Sequence, residues 1–444
     1  MSQETATTGA SEASQFSDPK LIERLHELRR TDNRTNWIYI LRAWVYLGIV
    51  IGGATWFFVA HGDLGLAWWW NVPVALVAIA LIGAGQHQLV GLVHEGAHYT
   101  LFRSKLLNEL ASDLLCMFPV VSTTYFYRLQ HLAHHQFVND EERDPDLLQL
   151  KESGHWLDFP VEKKALLRKF LLWLWPSKLI LYSAARGRRA ASGGGKNPYR
   201  ETTRRYSKKP KYIAITSLLL MIGAVTVFVS LGDKLWLFAS AGAIWLGSMV
   251  LNARLRPEEF ETSRLRPALP HKPMAMLRLT YVQAIVVALG WTTLQTGRWA
   301  GVYFIVLWLV PLFTSFSFFM MLRQLVQHGN NDSGRVTNTH TFLVNPIARW
   351  AVFPIGQDYH LPHHLFASVP HYRLKDLHAT LMELPHYSGE EVEVEGYLFP
   401  QRPPPRPPTV VEALGPGHSR TAHEAWIDET VLEEVGLEDS APPA

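Results

Sequence analysis

Six apolar stretches constrain this chain more than any other feature: Ile38–Ala60, Val72–Val93, Tyr212–Leu231, Leu235–Leu251, Leu277–Leu294 and Trp299–Met321. Each approaches the roughly 20 apolar residues that a helix needs to cross a bilayer. An unpaired backbone amide in hydrocarbon costs several kcal/mol, so such stretches become helices. The expected architecture is therefore all-α, a membrane bundle of about six spans. Two further stretches, Leu107–Tyr125 and Phe170–Ala184, are interrupted by Pro119, or by Pro176 and Lys178, and read as interfacial or re-entrant.

Basic residues fall on alternate sides of this layout, as the positive-inside rule requires. Lys20, Arg24, Arg29, Arg30 and Arg34 precede the first span, and the following loop, His61–Asn71, has no Lys or Arg. Arg254, Arg256, Arg264, Arg266 and Lys272 lie between the fourth and fifth spans. Both termini are thus expected in the cytoplasm. With 48% hydrophobic and 18% charged residues, the chain is more apolar than soluble domains, where about 25% is charged.

Three histidine clusters lie at the edges of these spans: His94-Glu-Gly-Ala-His98, His131-Leu-Ala-His134-His135 and His360-Leu-Pro-His363-His364. On a helix, positions three or four apart share a face, so each cluster can aim several imidazoles at one point. Neutral imidazole ligates Fe, Zn, Cu and Ni. Eight such nitrogens are too many for one ion and suit two ions side by side. The span count puts all three clusters on the cytoplasmic side, which one shared site demands. His328, at the cytoplasmic end of the last span, is counted as a ninth ligand. His87, two helical turns deeper than His94, is expected to be buried and hydrogen-bonded instead. Lone histidines such as His26, His61 and His155 carry no metal reading.

The single cysteine, Cys116, excludes an intramolecular disulfide, an iron–sulfur cluster and a Cys-rich zinc site. Residues 1–34 read as a polar arm whose first 18 residues are disordered. The catalytic unit is expected over residues 35–385, followed by a tail, 386–444, that is Pro-rich and then acidic, disordered or holding one short helix. The basic stretch 185–211 fits a cytoplasmic loop that can meet anionic head groups or an acidic partner.

The clusters, the following Asp144-Pro-Asp146, Gln327-His328 and the run His360-Leu-Pro-His363-His364-Leu-Phe…Val-Pro-His-Tyr resemble the membrane-bound fatty acid desaturases over roughly residues 35–385. The resemblance implies a non-haem di-iron centre under a cytoplasmic helical cap, O2 as co-substrate, and a double bond introduced into a fatty acyl chain. It carries ligand roles to His94, His98, His131, His134, His135, His360, His363 and His364, and to His328. Three residues between the histidines of the first cluster, and His360 opening the third, favour an acyl-lipid substrate. An all-histidine ligand set brings no negative charge, so carboxylates should orient the rings; Glu95, Asp144, Asp146 and Asp358 are the candidates. Gln327 stands where many relatives carry Glu.

Each turnover needs two electrons from outside. The 444 residues contain no His-Pro-Gly-Gly motif, no cluster cysteines and no flavin fingerprint, so a separate ferredoxin or cytochrome b5 is expected, and no nucleic acid. The nearest alternative is hydroxylation or ketolation of an acyl chain, sphingolipid, alkane or carotenoid. A metal transporter would place polar groups near the bilayer midplane, where these spans have almost none, and a haem protein would leave most of the histidines unused.

Overall fold

The computed structural model describes residues 16–191, 194–200, 207–260, 263, 265–390, 392–418, 420 and 425–428. Six helices are long and apolar enough to cross a membrane: Thr35–Ala60, Trp68–Ala97, Lys209–Ser230, Lys234–Arg254, His271–Thr296 and Ala300–His328. They are called spans one to six. All six expected stretches lie within or nearly coincide with them. Leu107–Tyr125 and Phe170–Ala184 do not span; they fold into short helices of the cap, Lys105–Ser112, Lys163–Trp173 and Pro176–Arg186, with a π-helical turn at Asp113–Met117.

Spans two and six lie inside the protein, and span one packs along them around Leu47, Ile82, Leu89, Leu312 and Phe316. Gly83 makes that packing possible. A Cβ there would sit 2.1 Å from Ser315 Oγ and 2.5 Å from the Phe316 amide nitrogen. The Ser315 hydroxyl uses the close approach to donate to the Ile79 carbonyl at 2.6 Å. Spans three and four make a separate cluster through Met221, Val225, Val229, Leu237 and Ala241, and span five packs against it with Val286, Val287 and Leu294.

The cap gathers at one end of the bundle. Its helix Thr124–Gln136 starts where Thr123 accepts from the Phe126 amide and Asp113 accepts from the Thr124 amide at 2.6 Å. A buried ion pair, Arg128–Glu109 at 2.7 Å, ties this helix to span two, because Arg128 also donates to the Gly96 and Ala97 carbonyls. The third histidine cluster occupies a six-residue helix, His360–Leu365.

The ends of the chain are more structured than their composition suggests. The reading of residues 1–15 as disordered lies outside the described residues. Pro19–Leu28, however, is a helix inside the stretch read as a polar arm, and it buries Leu21, Leu25 and Leu28 against Leu374, Leu377 and Leu381. Beyond residue 385, Glu393–Glu395 pairs in parallel with Thr341–Leu343, in register Thr341 to Glu393, forming a two-stranded sheet. Val410–Ala413 then forms a buried turn of helix capped by Thr409. The acidic residues Glu429, Glu433, Glu434, Glu438 and Asp439 lie outside the described residues, as do 192, 193 and 201–206 of the basic stretch. Part of that stretch is used internally: Arg188 and Arg189 pair with Glu152, and Arg186 lies over the Phe316 ring.

Candidate metal centre

Span two carries His94 into the protein interior and ends beside His98. The last turns of Thr124–Gln136 bring His131, His134 and His135, span six ends on His328, and the short helix supplies His360, His363 and His364. The nine rings converge in two groups. His94, His98, His131, His135 and His363 form one, and His134, His328, His360 and His364 the other; within each group one ligating atom per residue lies within 4.8 Å of all the others. Eight of the nine are buried and His98 is half-buried.

The contacts between rings run mainly through Nε2. In the first group His98 approaches His131 at 2.8 Å, His131 approaches His135 at 3.1 Å, and His135 approaches His363 at 3.1 Å. In the second, His328 lies 3.0 Å from His360 and His360 lies 3.1 Å from His364. His134 lies 3.1 Å from His328. The His94 Nε2 is buried without a protein partner, and its ring centroid is 4.4 Å from that of His131 and 4.3 Å from that of His363. A metal–imidazole bond of about 2.1 Å puts neighbouring ligands of an octahedron about 3.0 Å apart, because that edge is √2 times the bond. The observed spacings fit such a shell. Either group could hold an ion, and neither contains a carboxylate or thiolate.

Burial keeps most of these rings neutral. It pushes His131, His135, His360, His363 and His364 well below the ordinary imidazole range, with the neighbouring rings adding to the effect, and His98 to about 3. A neutral ring keeps a lone pair for a metal. His134 departs from the pattern. Burial disfavours its charge, but the Asp144 carboxylate outweighs burial and raises it.

Asp144 is the carboxylate that grips a ring. Both its oxygens accept from His134 Nδ1, at 3.0 and 3.1 Å, which turns Nε2 toward the other rings. It also caps Pro145–Glu152, accepting from the Asp146 amide, and takes the Asn139 amide at 3.0 Å. Glu95 stands 3.3 Å from His94 Nδ1 and is held by the Thr100 hydroxyl and the His371 amide, each at 2.9 Å. The other two candidates do not touch a ring of the cluster. Asp146 accepts from Gln324 at 2.9 Å, and Asp358 pairs with Arg349 at 2.8 Å. The Asn338 carbonyl accepting from His328 Nδ1 carried no sequence signal, and His371, which lies in the Val-Pro-His-Tyr run, has no role in the sequence reading although its amide holds Glu95. His87 stays out of the cluster and bonds the Ala351 carbonyl at 2.8 Å.

A cavity of about 20 Å³ touches His135 and His364 on the side away from the spans, closed by Arg335, Trp426 and Asp428. A larger one, about 540 Å³, lies between the helix carrying the second cluster and spans three and five. Phe126, Ile215, Leu218, Leu279 and Val282 line it, with Lys208 and Lys211 also at its wall.

The sequence model of the fatty acid desaturase family matches residues 67–256 and 253–393. The dihydrorhizobitoxine desaturase of Bradyrhizobium elkanii is 33% identical over 144 residues, which cover 32% of this chain and 37% of that protein. The Delta(5) fatty acid desaturase fat-4 of Caenorhabditis elegans is 36% identical over 72 residues, 16% of each chain. The chain therefore spans well under half the length of either relative.

Proposed function

The chain belongs to the fatty acid desaturase family, and from that premise we propose that it is a multi-pass membrane enzyme that uses O2 to place a double bond in a fatty acyl chain. The observation that carries this reading is the pair of buried histidine groups, five and four rings, each compact enough for one metal ion. Two irons fit this all-nitrogen donor set, since imidazole suits iron and leaves coordination positions free for O2. When bound, they supply with O2 the oxidising power to remove two hydrogens from neighbouring CH2 groups. O2, those two hydrogens, two electrons and two protons give the double bond and two waters. The electrons come from a separate carrier, a ferredoxin or cytochrome b5.

The protein's own part is orientation and exclusion of water. The five-ring group is proposed to hold one ion through His94, His98, His131, His135 and His363, and the four-ring group the other through His134, His328, His360 and His364. Asp144 and Glu95 fix the orientation of His134 and His94. Asp146, bonded to Gln324, is proposed to add its charge to that of Asp144 beside His134, while Asp358, paired with Arg349, takes no part in holding the rings. The apolar cavity at Phe126 is proposed to take the acyl chain, with Lys208 and Lys211 toward a lipid head group. Phe126 precedes His131 by five residues, about 7.5 Å along the helix. The site is proposed to face the cytoplasm with both termini, a reading supported by the distribution of Lys and Arg.

One observation favours a second substrate class. The Bradyrhizobium elkanii relative is named for dihydrorhizobitoxine rather than for a fatty acid. Mass spectrometry of total lipids from cells expressing the chain and a His134/His135→Ala variant separates the readings. Acyl chains lighter by two mass units in the first alone support acyl desaturation. Chains heavier by sixteen indicate hydroxylation, and an unchanged profile with iron and electron donor supplied points to a non-acyl substrate.

A further inference from the structure

A second cavity, of about 340 Å³, lies between span one, span two and the short helix Pro346–Ala351, on the far side of His371 from the histidine groups. Three cations line it: Arg42, Arg349 and Lys375. Asp358 pairs with Arg349 at 2.8 Å, but among the described residues no carboxylate lies within salt-bridge distance of Arg42 or Lys375. The Arg42 guanidinium instead lies over the rings of Tyr39 and Trp350, 4.6 and 5.1 Å from their centroids. The aromatic walls fix the cation while leaving its N–H groups available, with one long contact to Gln88 at 3.5 Å. Even with Asp358 on Arg349 and Glu95 behind His371, the three cations leave the wall net positive.

The cavity's height in the bilayer identifies the anion. Arg42 sits two turns into span one, and its neighbours Ile38, Leu41 and Val45 are 67, 63 and 51% exposed. Ile347, on the helix that carries Arg349 and Trp350, is 82% exposed. Apolar side chains this exposed, beside an aromatic and basic rim, face lipid. A cation at the membrane boundary without a protein carboxylate marks a functional site with an anionic partner. Arg is also the side chain that suits phosphate, which it can grip with two parallel N–H groups.

We propose that this cavity binds the phosphate of an anionic membrane phospholipid, held by Arg42 and Lys375 against the Tyr39–Trp350 wall. The cavity volume falls within the range of small-ligand sites. Its position gives the lipid a consequence: His371 lines it and donates its backbone N–H to Glu95 at 2.9 Å, so an occupied cavity stiffens the segment that holds the carboxylate beside His94. Binding here does not depend on the substrate of the enzyme or on the redox reaction.

The test uses the full chain purified in a neutral detergent, with native mass spectrometry counting retained lipid. The probes are phosphatidylglycerol, phosphatidylcholine and inorganic phosphate. Wild type is expected to retain phosphatidylglycerol in preference to phosphatidylcholine. Each basic residue near a membrane surface contributes a factor of about five, so Arg42→Gln/Lys375→Gln should weaken retention about 25-fold. Arg42→Lys should keep most of it, and unchanged metal content in all variants shows that the fold is intact. Millimolar phosphate that fails to displace the lipid supports a lipid site; full displacement would make the cavity a site for free phosphate and overturn the proposal. Equal retention of the two lipids, or equal retention by wild type and the double variant, would also overturn it.

Discussion

Asp144→Asn isolates the most specific electrostatic contact of the metal centre. Asparagine caps a helix as well as aspartate does, so Pro145–Glu152 keeps its start, and the side-chain oxygen can still accept from His134 Nδ1. The charge is lost, and with it one acceptor oxygen, so the Asn139 amide gives up its 3.0 Å hydrogen bond if the remaining oxygen keeps the cap. A hydrogen bond to a charged group contributes about 1.5–3 kcal/mol and a neutral one about 1. The difference, about 0.5–2 kcal/mol, converts at 1.36 kcal/mol per decade into about 2–30-fold weaker hold on an ion bound through His134. Its upper part overlaps the 10–100-fold loss usual when a carboxylate behind a ligand is removed. Because Asp144 touches a ring of the four-histidine group only, one ion and not both should loosen. The assay is metal content per chain by inductively coupled plasma mass spectrometry, over a time course of dialysis against a chelator. On the proposed two-ion site, wild type should release two ions slowly, and Asp144→Asn should lose one early and keep the other. Two ions lost together, or both retained at the wild-type rate, would refute the assignment of Asp144 to one group.

Other expectations follow from particular residues. His363→Ala should remove the ion of the five-ring group and His360→Ala that of the four-ring group, each leaving about one ion per chain and abolishing product in the lipid assay. Arg128→Met leaves Glu109 charged and buried, at a cost of about 3–5 kcal/mol, whereas Arg128→Met/Glu109→Leu should recover much of the lost thermal stability. Gly83→Leu forces a side chain into the Phe316 backbone and should cost well over 1 kcal/mol, seen as loss of monodisperse protein in detergent. Burial and the nearby Glu109 push the Asp113 carboxyl up to about 7. The folded protein thus holds a proton that the unfolded chain releases near pH 4, so stability falls as pH rises from about 4 to 7. Asp113→Asn should abolish that fall and melt higher than wild type at pH 8.

The spans were legible because hydrocarbon imposes a length and a composition that stand out along a chain. The histidine groups were legible for a related reason: nine imidazoles clustered at the ends of apolar stretches have few uses apart from metal. What escaped is non-local. Asp144 and Asp146 flank one proline, and only the turn into Pro145–Glu152 decides that Asp144 faces His134 while Asp146 faces Gln324. Asp358 lies two residues before a histidine, yet Arg349 takes it. The strand Glu393–Glu395 is only three residues long, and although Glu391-Val392-Glu393-Val394-Glu395 alternates polar and apolar, its partner is some fifty residues earlier. Leu21, Leu25 and Leu28 do carry a helical spacing, but the charges between them gave a polar reading until Leu374 and Leu377 supplied a surface to cover.

Two metal ions shared among nine histidines are the core of the proposed site. X-ray diffraction from crystals of the iron-loaded protein, with anomalous differences collected on both sides of the iron edge, tests that directly. Two peaks are expected, one enclosed by His94, His98, His131, His135 and His363 and the other by His134, His328, His360 and His364, each about 2.1 Å from its ligand nitrogens. A single peak, or peaks away from these rings, would contradict it.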